Sequence, residues 1–78
     1  MKTDNIVKET TDKINEIVVK RLQWEEKNLY RTRLQFCKDC GISFTTMYNF
    51  INKSKGNHLD TAIRMLAESG YKIEIVPI

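Results

Sequence analysis

Cys37 and Cys40 are separated by two residues, a spacing that occurs in redox-active dithiols and in zinc sites. A structural zinc site normally takes four protein ligands, and beyond these two thiols the chain offers only His58, on a different predicted element. Residues three apart on a helix point to the same side, where buried cysteine behaves as a small apolar side chain. The pattern therefore favours two reduced thiols inside a core, and we expect no metal ion and no cofactor.

A second chemically distinctive set lies between Phe44 and Asn52, which we predict to form one helix. Its apolar residues fall on one side, and the opposite side carries Thr45, Tyr48, Asn49 and Asn52. An asparagine can make two hydrogen bonds to an adenine edge in the major groove of DNA, so Asn49 is the first candidate for a base contact. The alternative is that an exposed asparagine on a surface helix binds nothing.

The elements that must position this set are two short helices joined by a tight turn. Helices that cross steeply need a small residue at their contact, a glycine to turn the chain and apolar residues on both inner faces. The small residue is Cys37 and the glycine is Gly41. The apolar positions are Phe36, Cys40, Ile42, Met47 and Phe50. This spacing predicts a helix-turn-helix, the motif of many DNA-binding proteins.

Capping signals predict where these two helices begin. Thr32 and Gln35 have the form of a capping box, in which the hydroxyl accepts from an early helical N–H and the glutamine reaches back. The first helix should run from Thr32 to about Cys40. Gly41 to Ser43 should then form the turn, with Ser43 capping the second helix.

Two further helices should flank this unit. Between about Thr11 and Lys27, apolar residues recur at steps of three and four, at Ile14, Ile17, Val18 and Leu22. Residues 1–10 are polar and can form either a flexible tail or a helical extension. A last helix should begin near Asn57 and Asp60 and end at Ser69 and Gly70. Its expected core residues are Leu59, Ala62, Ile63 and Leu66.

Residues 71–76 alternate apolar and charged side chains with the period of a half-buried strand, and Pro77 ends the pattern. A lone strand leaves its backbone donors and acceptors unpaired, and the chain contains no second strand candidate. We therefore expect the identical strand of a second subunit to pair with it, which closes a two-fold dimer. The dimerisation residues would be Tyr71, Ile73, Ile75 and Val76. The alternative is a tail packed on its own helices.

The charge of the chain is concentrated around the predicted turn. The 78 residues should form one small domain, and their net charge of +3 is unremarkable for the chain as a whole. Residues 31–57 hold five basic residues against Asp39 alone, an excess of four. This excess is expected for a surface that faces phosphates, and an ordinary solvated face is the alternative. No apolar stretch approaches the length of a membrane span and no signal peptide is evident, so we expect a cytoplasmic protein without a membrane partner.

The chain resembles the lambda-repressor and Cro type (XRE-type) of helix-turn-helix proteins. The resemblance covers roughly residues 14–77 and depends on the motif spacing, on GIS at the start of the second motif helix, and on the tail LDTAIRMLAESGYKIEIVP. This tail is similar to that of compact antitoxins and phage regulators. The resemblance implies a mainly α domain of four to five helices with one C-terminal β-strand. It also implies a homodimer that binds a palindromic operator and represses transcription.

Positions carried over from the family form two sets. The resemblance implies DNA base contacts from Ser43, Phe44, Thr45, Tyr48, Asn49 and Asn52. It implies phosphate contacts from Thr32, Arg33, Lys53, Ser54, Lys55 and Asn57. The chain departs from the family at Arg33, where glutamine is usual, and at Phe44, where a polar base-reading residue is common. Phe44 could pack against a thymine methyl or could support Tyr48 one turn later.

Three classes of function remain for this chain after these observations. The first is a sequence-specific DNA-binding transcriptional regulator, in particular a repressor. The second is an antitoxin or antirepressor that binds a protein partner such as a toxin. An enzyme is not expected, because the chain has one histidine and no glycine-rich phosphate loop, and the adjacent Glu25 and Glu26 diverge on a helix.

Overall fold

Four α-helices make up the architecture of the computed structural model, which describes residues 2–53 and 59–77. They are α1 (Lys2–Asn28), α2 (Arg33–Cys40), α3 (Phe44–Lys53) and α4 (Leu59–Glu68). The long α1 packs against each of the three short helices, and α2 also contacts α3 and α4. The mainly α class is confirmed, with four helices over the described residues.

Helix α1 resolves the question of the first ten residues, because it already begins at Lys2. At about 1.5 Å per residue, its 27 residues span about 40 Å, which matches the longest dimension of the molecule, 41 Å. Residues 2–10 are exposed, whereas Val18 and Leu22 are buried. The first part of α1 is thus a helical extension beyond the core, which begins about two turns further along.

The core lies where the four helices meet. Its buried apolar residues are Val18, Leu22, Phe36, Cys37, Cys40, Met47, Phe50, Ala62 and Met65, with Ile14, Ile42 and Ile51 packed against them. The prediction that Leu59 and Ile63 belong to this core is wrong, because both side chains are largely exposed. Helix α4 instead points Ala62, Met65 and Leu66 inward. Ile63 lies about 100° around the helix from Ala62, and Leu59 lies in the first turn, at the edge of the core.

The connection between α1 and α2 contains a backbone conformation that is rare for a bulky residue. Tyr30 has a φ of 55°, in the left-handed region, and its side chain is exposed. The amides of Leu29 and Arg31 both donate to the carbonyl oxygen of Glu25, at 2.8 and 3.3 Å. This reversal directs Arg31 back toward the helices.

Residues 71–77 lie in neither a helix nor a strand in the single chain. The amide of Tyr71 donates to the carbonyl oxygen of Leu66 at 2.8 Å, and Gly70 adopts a φ of 89° at the end of the last helix. The side chain of Ile75 is 98% exposed, and Val76 is also exposed, so this end of the tail does not pack on its own helices. Residues 2–53 and 59–77 contain no strand, and a strand forms only against a partner backbone.

None of the helices in these two ranges has both the length and the apolar composition that crossing a membrane requires.

Candidate nucleic-acid interface

The turn between α2 and α3 is closed by backbone hydrogen bonds. Gly41 has a φ of 74°, and its amide donates to Cys37 and Lys38 carbonyl oxygens at the end of α2. Arg64 of α4 donates from Nη1 to the carbonyl oxygen of Cys40 at 3.0 Å. A Cβ atom at position 41 would lie 2.9 Å from the same Nη1 atom. The left-handed backbone therefore favours glycine here, and any larger residue would also make the end of the Arg64 side chain shift.

Ser43 caps the beginning of α3, as predicted. The amide of Thr46 donates to Ser43 Oγ at 3.1 Å, and the amide of Met47 donates to the Ser43 carbonyl oxygen at 3.2 Å. The hydroxyls of Ser43 and Thr46 also share a hydrogen bond of 2.7 Å. Ser43 is exposed beside the other proposed base-contacting residues, but its hydroxyl is already engaged in the cap.

Thr32 caps α2, but the reciprocal half of the predicted capping box is wrong. The amide of Gln35 donates to Thr32 Oγ1 at 3.1 Å. The Gln35 side chain does not return to Thr32 and instead donates from Nε2 to Asp39 Oδ1 at 2.9 Å. The reason is the helical spacing of Gln35 and Asp39, which places their side chains on the same face one turn apart.

The inner faces of α2 and α3 meet through the residues that the spacing predicted. Phe36, Cys37, Cys40, Met47 and Phe50 are all buried, and Cys37 Sγ lies 3.3 Å from Met47 Sδ. The small cysteine side chains let the two helices approach each other. The two cysteines are therefore packed in the core, as their spacing predicted.

The environment of the two thiols makes them poor nucleophiles. Burial raises the pKa of the Cys37 thiol. Burial, with a smaller contribution from the nearby Glu68 carboxylate, raises the pKa of Cys40 to about 12. The thiolate is the form that reacts and binds metals, so the raised pKa values lower the reactivity of both groups at neutral pH. Within the described part of the chain, no three histidine, cysteine or acidic side chains are grouped to hold a metal ion.

The outer face of α3 presents the predicted base-contacting residues. Phe44 and Tyr48 are 44% and 47% exposed, Thr45 and Asn52 are exposed, and Asn49 is half-buried. The Asn52 side chain donates from Nδ2 to the carbonyl oxygen of Tyr48 at 3.2 Å, so one of its donors is used on its own helix. The side chains of Thr45 and Asn49 form no hydrogen bond with any other described residue. Their polar groups are therefore available to a ligand.

The predicted phosphate contacts are only partly within the described residues. Thr32 and Arg33 lie together at the amino end of α2, and Arg33 Nε is 2.8 Å from Glu26 Oε1. Both partners of this ion pair are more than a third exposed. Lys53 ends α3. The side chain of Lys53 and the residues Ser54, Lys55 and Asn57 lie outside the described residues.

Arg31 does not contribute to the predicted basic surface, because it forms ion pairs within the molecule. Its Nη1 is 2.7 and 3.0 Å from the two carboxylate oxygens of Glu25. Its Nη2 is 2.7 Å from Asp39 Oδ2 and 2.6 Å from Glu68 Oε2. One guanidinium thus connects α1, α2 and α4, and the guanidinium carbon lies 5.0 Å from the centre of the Phe36 ring. We call Arg31 and its three carboxylate partners the Arg31 cluster.

The charge of Arg31 is permanent in this environment. Burial by itself would lower the pKa of its guanidinium, but hydrogen bonds to Glu68 and Glu25 outweigh that effect and raise the pKa above its ordinary value. Three carboxylates surround this single cation, so the Arg31 cluster adds no positive charge to the outer surface. The excess of basic charge around the turn is smaller than the sequence suggested.

One signal for this cluster was present in the sequence. Leu22 lies four residues after Val18, and Glu25 lies three residues after Leu22. Glu25 therefore falls on the buried face of α1. Glu25 is 1% exposed, and a carboxylate at such a position requires a cationic partner. Glu26 points elsewhere, to Arg33, so the prediction that the two adjacent acids diverge is confirmed.

Comparison of the chain with models of protein families, with curated proteins and with solved structures found no match.

Proposed function

We propose that this protein is a sequence-specific DNA-binding transcriptional regulator of the helix-turn-helix type. The observation that carries the proposal is the arrangement of α2, the turn at Gly41 and α3. Their inner faces are fully packed, and the outer face of α3 exposes Phe44, Thr45 and Tyr48. A rigid helix with exposed polar and aromatic side chains is suited to the major groove, where base edges are read.

The electrostatics of the amino end of α2 support a phosphate contact there. The ion pair between Arg33 and Glu26 is exposed, and such pairs contribute at most about 1 kcal/mol. A DNA phosphate can therefore replace Glu26 as the partner of Arg33 at little cost. The helix amino terminus behind Thr32 adds partial positive charge from its first amides. Lys53, the last residue of α3, and Lys55, which follows it in the sequence, extend the same proposal to further phosphates.

A homodimer is the second part of the proposal. Tyr71, Ile73, Ile75 and Val76 expose apolar surface on a segment without a strand partner. Pairing two copies of this segment across a two-fold axis would satisfy both backbones and cover those side chains. The two α3 helices would then enter successive major grooves about 34 Å apart, on half-sites about one helical turn apart. A dimer bound across a promoter would repress transcription by occlusion.

The experiment that tests this function is selection of binding sites from random DNA, followed by gel shifts with nonspecific competitor at moderate salt. We expect a complex with selected palindromic sites that resists the competitor. Asn49→Ala should weaken the selected site by about 1 to 3 kcal/mol and leave random DNA unchanged. Arg33→Ala should weaken both kinds of DNA similarly, because phosphate contacts do not read sequence. Asn5→Ala, an exposed change on the α1 extension, is the matched control and should change neither.

Loss of selection would contradict the proposal directly. If no sequence is enriched over random DNA, the chain is not a sequence-specific regulator. If Asn49→Ala and Asn5→Ala bind the selected site equally well, Asn49 does not contact a base.

A second candidate function is protein binding by an antitoxin or antirepressor, and one surface favours it. A groove of about 310 Å³ between the α1 extension and α4 is lined mainly by apolar side chains, including Ile6, Val7, Ile14 and Leu59. The test is co-expression with the product of an adjacent gene. A stoichiometric complex that is lost in Val7→Asp and kept in Asn49→Ala would support this function.

A further inference from the structure

We propose that the outer face of α3 selects A·T base pairs, with Phe44 against a thymine methyl group and Asn49 on an adenine. This inference rests on the proposed function and adds the class of base that the site reads. It follows from the chemical groups that α3 leaves available at its surface.

Phe44 supplies an apolar surface at the amino end of the helix. It is the first residue of α3 and remains 44% exposed, whereas Phe50, the other phenylalanine of this helix, is 2% exposed in the core. The ring of Phe44 therefore contributes contact area that the fold leaves uncovered. The C5 methyl of thymine is the apolar group that the major groove offers to such a side chain. The methyl group of the neighbouring Thr45, which is exposed, can enlarge the same apolar contact.

The polar groups of this face are few, and some are already used. Ser43 accepts from Thr46 in the helix cap, and Asn52 donates to the Tyr48 carbonyl oxygen. Asn49 has no such partner among the described residues, so its amide can donate to and accept from one adenine edge. Residues 43–52 contain neither arginine nor lysine, the residues that most often read guanine. The available chemistry thus favours thymine and adenine over guanine, whose commonest partners are absent from this face.

The spacing of these groups suits neighbouring base pairs. Phe44 and Asn49 are five residues apart, or about 7.5 Å along the helix, and Thr45, which shares the apolar contact, lies on the same face as Asn49 one turn before it. Base pairs are stacked about 3.4 Å apart in the duplex. A helix that follows the groove would therefore place the two contacts one or two base pairs apart. Each half-site should contain a thymine and an adenine at that separation.

The experiment uses selected DNA in which one thymine at a time is replaced by deoxyuridine, which lacks only the C5 methyl group. We expect one thymine in each half-site to be sensitive, with affinity falling about fourfold, since burial of one methylene-sized group contributes about 0.8 kcal/mol. Replacement of any of the remaining thymines by deoxyuridine should leave the affinity unchanged. Methylation of cytosine at C5, placed at the sensitive position, should recover part of the contact.

Three protein variants assign the effect to Phe44. In Phe44→Ala, thymine and deoxyuridine should bind equally well, and binding of selected over random DNA should persist through the remaining contacts. Val7→Ala removes an exposed apolar side chain from the α1 extension and should keep the fourfold ratio. Phe44→Leu keeps an apolar side chain, so its affinity should still be higher for thymine than for deoxyuridine, by less than fourfold. This variant tests the role of Phe44 even if Phe44→Ala does not fold.

The outcomes separate this inference from the proposed function. If no sequence is selected at all, both fail. If a site is selected but contains only G·C pairs at its contacted positions, the A·T inference is overturned and the regulator function stands. A wild-type protein that binds thymine and deoxyuridine equally at every position overturns the role of Phe44 in the same way.

Discussion

Replacement of Arg31 by methionine is expected to destabilise the fold more than replacement of an exposed, paired charge such as Arg33. Arg31 makes two hydrogen bonds to Glu25 and one each to Asp39 and Glu68. Methionine keeps an unbranched apolar stem beside the Phe36 ring and removes only the guanidinium. The consequence falls mainly on Glu25, which is buried, whereas Asp39 and Glu68 are partly exposed and can be hydrated.

The magnitude follows from the burial of Glu25. Removing one partner of a buried ion pair costs about 3 to 5 kcal/mol, because it leaves an uncompensated charge. Arg21 Nε lies 3.4 Å from Glu25 Oε1 and would retain part of the compensation, so we expect a loss of about 3 kcal/mol. Small domains are stable by about 5 to 15 kcal/mol, so this loss is a large part of the total. With an m-value of about 1 kcal/mol/M, the urea midpoint should fall by about 3 M.

The assay is urea unfolding followed by circular dichroism, with two further variants. Arg33→Met breaks the exposed pair with Glu26 and should cost at most about 1 kcal/mol. In the double variant Arg31→Met with Glu25→Leu, the buried carboxylate is also gone, so the double variant should be more stable than Arg31→Met alone. Equal losses in Arg31→Met and Arg33→Met, or a double variant less stable than Arg31→Met, would refute this reasoning about the Arg31 cluster.

Three further predictions concern the turns and the thiols. Gly41→Ala should lower the free energy of unfolding by about 1 to 2 kcal/mol, since its φ is 74° and the new Cβ would meet Arg64; an unchanged thermal melting temperature would contradict it. Tyr30→Gly should raise the free energy of unfolding by about 0.5 to 1 kcal/mol in urea titrations, because relief of the left-handed strain exceeds the added chain entropy. Cys37 and Cys40 should react slowly with a thiol reagent at pH 8 in the native protein and rapidly in urea, because the folded state raises both pKa values and lowers the thiolate fraction; rapid labelling without urea would show that the thiols are accessible.

Helices α2 and α3 were predictable from the sequence to within a residue, because their signals are local. The Thr32 hydroxyl, the left-handed Gly41 and the Ser43 cap each act on amides or carbonyls a few residues away. The side-chain period of the two helices then separated the buried residues, such as Met47 and Phe50, from the exposed Thr45 and Tyr48. The start of α2 and the end of α3 each differ from the prediction by one residue.

The candidate interface was less completely predictable. The helical period identified Thr45, Tyr48, Asn49 and Asn52, whereas Phe44 was included only through the resemblance. The number of basic residues around the turn overstated the positive charge at the outer surface, because a count of charges does not show which of them are paired within the protein. Arg31 faces three carboxylates, of which Glu68 is 37 residues away, and Arg33 contacts Glu26.

By itself, the sequence determined the four-helix order, the capped turn, the burial of the two cysteines and the residue types on the outer face of α3. These follow from backbone stereochemistry and helical periodicity, which act over a few residues. Only the tertiary structure decided that Glu25 and Arg31 join distant helices, that Arg64 closes the turn from α4, and that Leu59 and Ile63 stay outside the core. Such contacts depend on how the helices are rotated and placed against one another, and the local pattern of a single helix contains no information about its neighbour.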